Sequence, residues 1–152
     1  MPELNKKKYY FFIGTVAELI KLFPVMQEME KRFIDYKIIA SGQNNIKNSD
    51  IFRCIKKQEI DIEINDEQIK QTSWYLFYWF IRTFFKSLKI FRKEASKDEK
   101  KCLLVHGDTV STMMGAILGK IFNFKIFHIE AGLRSFNFLE PYPEEINRTI
   151  TS

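Results

Sequence analysis

Short, almost unbroken apolar runs recur along this chain, each closed by a polar turn and followed by a stretch with helical spacing. Residues 9–13 (YYFFI) lead into Gly14-Thr15, and residues 102–106 (CLLVH) lead into Gly107-Asp108. Neither run alternates apolar with polar. A strand with one wet face alternates, whereas a strand covered on both faces does not, and such strands belong to parallel sheets. Residues 36–40 and 125–129 read as two more strands, and residues 61–64 as a short one. Between them, residues 17–33 read as a helix with Leu19, Leu22, Phe23 and Met26 on one face. Pro24 lies inside it and removes a backbone donor, so a kink is expected there. A short helix is expected near 46–55, and another at 144–151. Alternating strands and helices predict an α/β fold, a parallel sheet of five or more strands with right-handed crossovers and helices on both faces.

At 152 residues the chain has the length of one domain, and no internal repeat or linker divides it. Apolar residues make up 45% of it, which places it among globular chains rather than disordered ones. The net charge of +5 suits an anionic ligand, an acidic partner or a membrane surface. Most of the lysines are interspersed with acids, as where Lys97, Lys100 and Lys101 flank Asp98 and Glu99. That reads as a solvated surface, and no nucleic-acid motif accompanies it. Cys54 and Cys102 lack metal-ligand spacing and lie on apolar stretches, so buried free thiols are expected. With no signal-peptide pattern at the start, the expected location is cytoplasmic.

Residues 74–91 (WYLFYWFIRTFFKSLKIF) stand apart. They are too few, and too charged at their end, for a transmembrane helix. One reading is a long helix packed on the sheet with its aromatics in the core. The other is a surface helix that docks a second subunit or makes peripheral membrane contact, with two tryptophans beside basic residues.

Three acidic motifs crowd the last third: His106-Gly107-Asp108-Thr109, His128-Ile129-Glu130-Ala131-Gly132, and Pro143-Glu144-Glu145. Carboxylates at strand ends beside helix starts are where an open α/β sheet builds a site. Asp108 reads either as a helix N-cap or as an acid/base group facing a cleft. Glu130 ends an apolar run and is costly to bury unless paired, with Arg134 or a ligand as the expected partner. Partial desolvation would raise its proton affinity. Glu144 and Glu145 open the last helix, where carboxylates complement the helix dipole. His106 and His128 each precede an acid by two residues and read as supporting groups rather than metal ligands. Gly14-Thr15 stands where a phosphate-binding turn would sit.

Taken together, VHGDT (105–109), HIEAGLRS (128–135) and PYPEEINR (141–148) resemble the N-terminal domain of UDP-N-acetylglucosamine 2-epimerases. Gly14-Thr15, Glu18, Ile20-Lys21 and Pro24 resemble that family's opening GTRPExIKxxP, and Ser41-Gly42-Gln43-Asn44 resembles its T-G-Q-H. The resemblance implies a Rossmann-like domain, the N-terminal half of a two-domain GT-B-type fold. It implies Asp108, Glu130 and Glu144 as catalytic residues, and Gly14, Thr15, Lys21, Gln43 and Arg134 as substrate-binding residues. It also implies inversion at C2 of UDP-N-acetylglucosamine, by elimination of UDP and its re-addition, for surface polysaccharide synthesis. No metal and no cofactor are required. A homo-oligomer is expected of the full-length protein.

Two departures stand out. Val16-Ala17 replaces the family's Arg-Pro, and Asn44 replaces its usual His. Family members continue into a second domain that carries most of the UDP site and the catalytic histidine. On that comparison residues 1–152 form the N-terminal domain alone, as a fragment, a truncated product or one half of a split enzyme. The competing reading is a non-catalytic or partner-dependent half of a split nucleotide-sugar enzyme or glycosyltransferase, acting as an interaction module.

Overall fold

The computed structural model describes residues 7–57, 59–65, 73–95 and 100–131. Five strands form one parallel sheet in the order β3-β2-β1-β4-β5. They are β1 (Lys7–Ile13), β2 (Tyr36–Ala40), β3 (Ile62–Glu63), β4 (Lys100–His106) and β5 (Lys125–Ile129). The helices are α1 (Val16–Lys31), α2 (Asp50–Arg53), α3 (Ser73–Ala95) and α4 (Val110–Ile121). The second and fifth strands keep their expected bounds. The short helix shrinks to four residues, and the long aromatic helix gains a turn at its C-terminal end.

The unbroken apolar character of β1 now has its cause. Phe11 and Ile13 face α1, among Leu19, Leu22 and Met26. Tyr10 and Phe12 face the opposite layer, among Phe91, Val105, Met114 and Leu118. All four β1 side chains are fully buried. Each contributes roughly 1.5–3 kcal/mol relative to exposure, so an unpaired polar group at any of these four positions would be costly. On α1, Leu19, Leu22 and Met26 are buried as expected, Phe23 is half-buried, and the helix continues through Pro24.

The aromatic helix α3 packs one face into the core, as the first reading expected, and leaves another face exposed. Trp79 and Phe91 are in the core, whereas Trp74, Tyr78 and Phe85 are exposed. Thr83 and Ser87 are fully buried, and they carry polar anchors. Asn65 Nδ2 donates to Thr83 Oγ1 at 2.5 Å, and Lys86 Nζ donates to Asn65 Oδ1 at 2.6 Å. These bonds pin the residues after β3 beneath the helix. Among the described residues no helix is long and apolar enough to cross a membrane. One expectation fails: Cys102 is buried, but Cys54 is exposed, because it lies at the end of a four-residue helix with its thiol against Asp50 O.

In this strand order the chain leaves β1 toward β2 on one side and returns to β4 on the other. The direction of winding reverses between β1 and β4. Open α/β sheets bind ligands outside the carboxyl ends of such a strand pair. Here that edge carries Gly14-Thr15 and Gly107-Asp108-Thr109.

Candidate functional site

A cleft of about 210 Å³ opens at this edge. Thr15 and Lys21 line it from the β1–α1 side, Asp108 and Thr109 from the β4–α4 turn, and Glu130 from the end of β5. Four residues singled out from sequence on different segments are thus gathered at one place: Asp108, Glu130, Thr15 and Lys21. Arg134, Glu144 and Glu145 lie outside the described residues, as does the helix expected at 144–151.

Asp108 is half-buried in the turn after β4, where Gly107 takes φ +72°. The N-cap of α4 is Thr109, whose Oγ1 accepts from Thr112 N at 3.1 Å. Asp108 is therefore not the cap, and it is among the residues lining the cleft beside the helix start.

Glu130 also has positive φ, +62°, a conformation that a residue with a side chain adopts only where surroundings demand it. Lys21 Nζ donates to its Oε1 at 3.0 Å, and His106 Nε2 stands 3.2 Å from its Oε2. The expected partner Arg134 is thus preceded by two others from α1 and β4. The expected rise in proton affinity is reversed: the hydrogen bond from Lys21 holds the Glu130 carboxyl below the usual value, outweighing slight desolvation. Glu130 is 43% exposed on its side chain, so solvent screens the pair. Burial pushes His106 below its ordinary value, against the pull of Glu130.

His128 serves the turn rather than the cleft. Its Nε2 lies 2.7 Å from Gly107 O, which can only accept, so the proton sits on Nε2. Gly107 N in turn donates to Ile129 O at 3.0 Å. Both bonds hold the Asp108 turn against β5.

Gln43 is committed to the start of α4. Its Oε1 accepts from Ser111 Oγ at 2.7 Å and from Ser111 N at 3.3 Å. Ser111 Oγ also bonds Ser41 Oγ at 2.8 Å. Gly14 packs directly on this cluster, and a Cβ there would overlap both side-chain atoms of Ser111. Both contacts are buried, so neither side can yield cheaply. Gly14→Ala is expected to destabilise the domain by about 1–3 kcal/mol, the cost of overpacking. Chemical denaturation of the two chains measures it, and an unchanged midpoint would show that Ser111 swings clear.

Glu18 was visible in the sequence but not assigned a place in the site. It is 2% exposed. Its Oε2 accepts from Gly14 N at 2.8 Å and its Oε1 from Thr109 Oγ1 at 2.6 Å, while Thr15 Oγ1 accepts from Glu18 N at 3.2 Å. Burial raises its pKa to about 7, partly offset by the hydrogen bonds from Gly14 and Thr109. The signal was present: threonine, then glutamate three residues on, is a capping box directly after a strand. Ser111 carried no comparable signal. Among the described residues no cluster of three metal-ligating side chains occurs.

The sequence profile described as UDP-N-acetylglucosamine 2-epimerase matches residues 27–152. A UDP-N-acetylglucosamine 2-epimerase of Campylobacter jejuni is 32% identical over 148 residues, covering 95% of this chain and 36% of the relative. The structure of UDP-GlcNAc 2-epimerase from Methanocaldococcus jannaschii in complex with UDP-GlcNAc and UDP superposes with a TM-score of 0.73 at 30% identity. It covers 95% of this chain and 37% of that one. The enzyme from Neisseria meningitidis, solved bound to UDP-GlcNAc, also gives a TM-score of 0.73, at 27% identity, covering 95% of this chain and 37% of that one. This chain spans little more than a third of the length of these relatives.

Proposed function

The chain belongs to the UDP-N-acetylglucosamine 2-epimerase family, and from that premise we propose that it supplies the N-terminal half of a site that inverts C2 of UDP-N-acetylglucosamine. The observation that carries this reading is the shared cleft, with Asp108 and Glu130 at the carboxyl ends of adjacent strands and Lys21 beside them.

The reaction removes the C2 proton while the C1–O bond to UDP breaks and a C1–C2 double bond forms. UDP oxygen then re-adds at C1, and a proton is delivered to C2 from the opposite face. The route calls for a base, an acid and charge stabilisation for departing UDP. Glu130, whose carboxyl the Lys21 hydrogen bond holds below its ordinary value, suits proton acceptance better than donation. Asp108 faces the same space, and Glu144 completes the proposed set. Lys21 offers the cation nearest to these carboxylates among the cleft residues.

A cleft of about 210 Å³ falls short of the roughly 300–1,000 Å³ that encloses a sizeable ligand. Residues 1–152 alone are therefore expected to show no appreciable turnover of UDP-N-acetylglucosamine in a coupled dehydrogenase assay. Adding a complementary second domain from the family is expected to restore it. Robust turnover by the isolated chain would overturn the half-site reading. Failure of every second domain tested to restore turnover would favour an interaction module without catalysis.

A further inference from the structure

We propose that Glu18 is a positioning residue, a carboxylate bridge that ties the Gly14-Thr15 turn to the Asp108-Thr109 turn and so fixes where Asp108 stands in the cleft. The consequence for catalysis rests on the function proposed above, but the bridge itself does not.

The argument starts from where the backbone stops helping. The pairing of β1 with β4 ends at Phe11 and Leu104. Both turns lie beyond that last pair. On its outer side the first turn is held to the β2 end, through Ser41 N to Ile13 O and Asn44 N to Gly14 O. The second turn is held on its outer side to β5, through Gly107 N to Ile129 O. Across the seam between them, where the crevice opens, the bond to the Asp108-Thr109 turn comes from the Glu18 side chain. One carboxylate oxygen accepts from each bank. The nearby contact of Ser111 with Ser41 and Gln43 joins α4 to the β2 side and does not reach Asp108 or Thr109.

A carboxylate meets this task because it presents two acceptors at fixed separation. Glutamine keeps the connection: its oxygen accepts from Gly14 N, and its amide donates to Thr109 Oγ1, which has a lone pair to spare. Methionine keeps the volume and loses both bonds. The charged or titratable groups that line the same cleft are Lys21 on α1, His106 on β4, Asp108 in the turn and Glu130 after β5. Burial raises the ionisation of Glu18 to about 7 and pushes that of His106 below its ordinary value. The Glu18 carboxyl carbon reports the Glu18 ionisation directly and so tells the two apart.

The test is an NMR titration of the 152-residue chain without substrate, so its outcome is independent of the enzymatic reading. In the unaltered chain the amides of Gly14, Asp108 and Thr109 are expected to move with the Glu18 carboxyl carbon, sharing one midpoint near 7. In Glu18→Gln that midpoint is expected to vanish while the Asp108 and Thr109 resonances keep their positions. In Glu18→Met those resonances are expected to shift, and the Gly14 amide to exchange about tenfold faster with solvent. A glutamate that only capped α1 would move Gly14 and Thr15 and leave Asp108 and Thr109 still. That result, or a midpoint near 7 at Thr109 that persists in Glu18→Gln, would overturn the proposal. If Glu18→Met does not fold, the Glu18→Gln titration decides.

Discussion

Asp108→Asn is expected to lower turnover by about 10²–10⁴-fold once the chain is reconstituted with a second domain, the range for losing a positioned acid or base. The substitution preserves shape and removes the charge that the proposed proton transfer needs. It leaves the helix start intact, because Thr109 rather than Asp108 caps α4. A loss of activity without a change in thermal midpoint would therefore report chemistry. The measurement belongs in the reconstituted protein, with UDP release and C2 inversion followed together. Unchanged turnover would remove Asp108 from the site and return it to an ordinary turn residue.

The second large effect concerns stability against pH. Glu18 has an ordinary value of 4.5 when unfolded and about 7 when folded, because burial penalises its charge. Below the unfolded value both states carry the proton and the residue is neutral in its effect. As pH rises from 4.5 to about 7 the unfolded chain releases a proton that the folded chain retains, so stability falls across that window. Above it the loss is complete, on the order of 3 kcal/mol. Glu18→Gln mimics the protonated form and is expected to flatten the decline, leaving the variant more stable than the parent at alkaline pH. Urea denaturation at a series of pH values measures this. Parallel curves for the two proteins would mean that Glu18 stays ionised in the folded state.

Strand identity was legible because buried parallel strands write themselves as apolar runs, and 9–13 and 102–106 needed no context to be read. The catalytic candidates were legible through their motifs, and Asp108 and Glu130 do share a cleft. What escaped were pairings set by tertiary approach. Lys21 meets Glu130 across most of the sequence, and no local pattern announces it. The proton affinity of Glu130 was misread for the same reason: desolvation could be guessed from an apolar run, but the opposing lysine could not. Conversely, Glu18 was seen only as part of a resemblance. Its burial depends on β4 bringing Thr109 over α1, which the sequence of α1 alone does not reveal. The two faces of α3 were open for a similar cause, since an aromatic-rich stretch hides which side the sheet covers.

The central position of β1 sets the order in which the chain can assemble. Its first neighbour, β2, follows after one helix, but its other neighbour begins only at Lys100. During synthesis, Tyr10, Phe11, Phe12 and Ile13 therefore emerge with one edge unpaired, and it stays unpaired until the whole of α3 has been made. An exposed apolar strand edge is a template for pairing with other chains. Closing the sheet also requires a long loop to be ordered before its contacts repay the entropy, which slows folding. The nascent domain thus passes through a period of vulnerability to self-association, and chaperone protection of its first strand would matter most while residues between β2 and β4 are still being added.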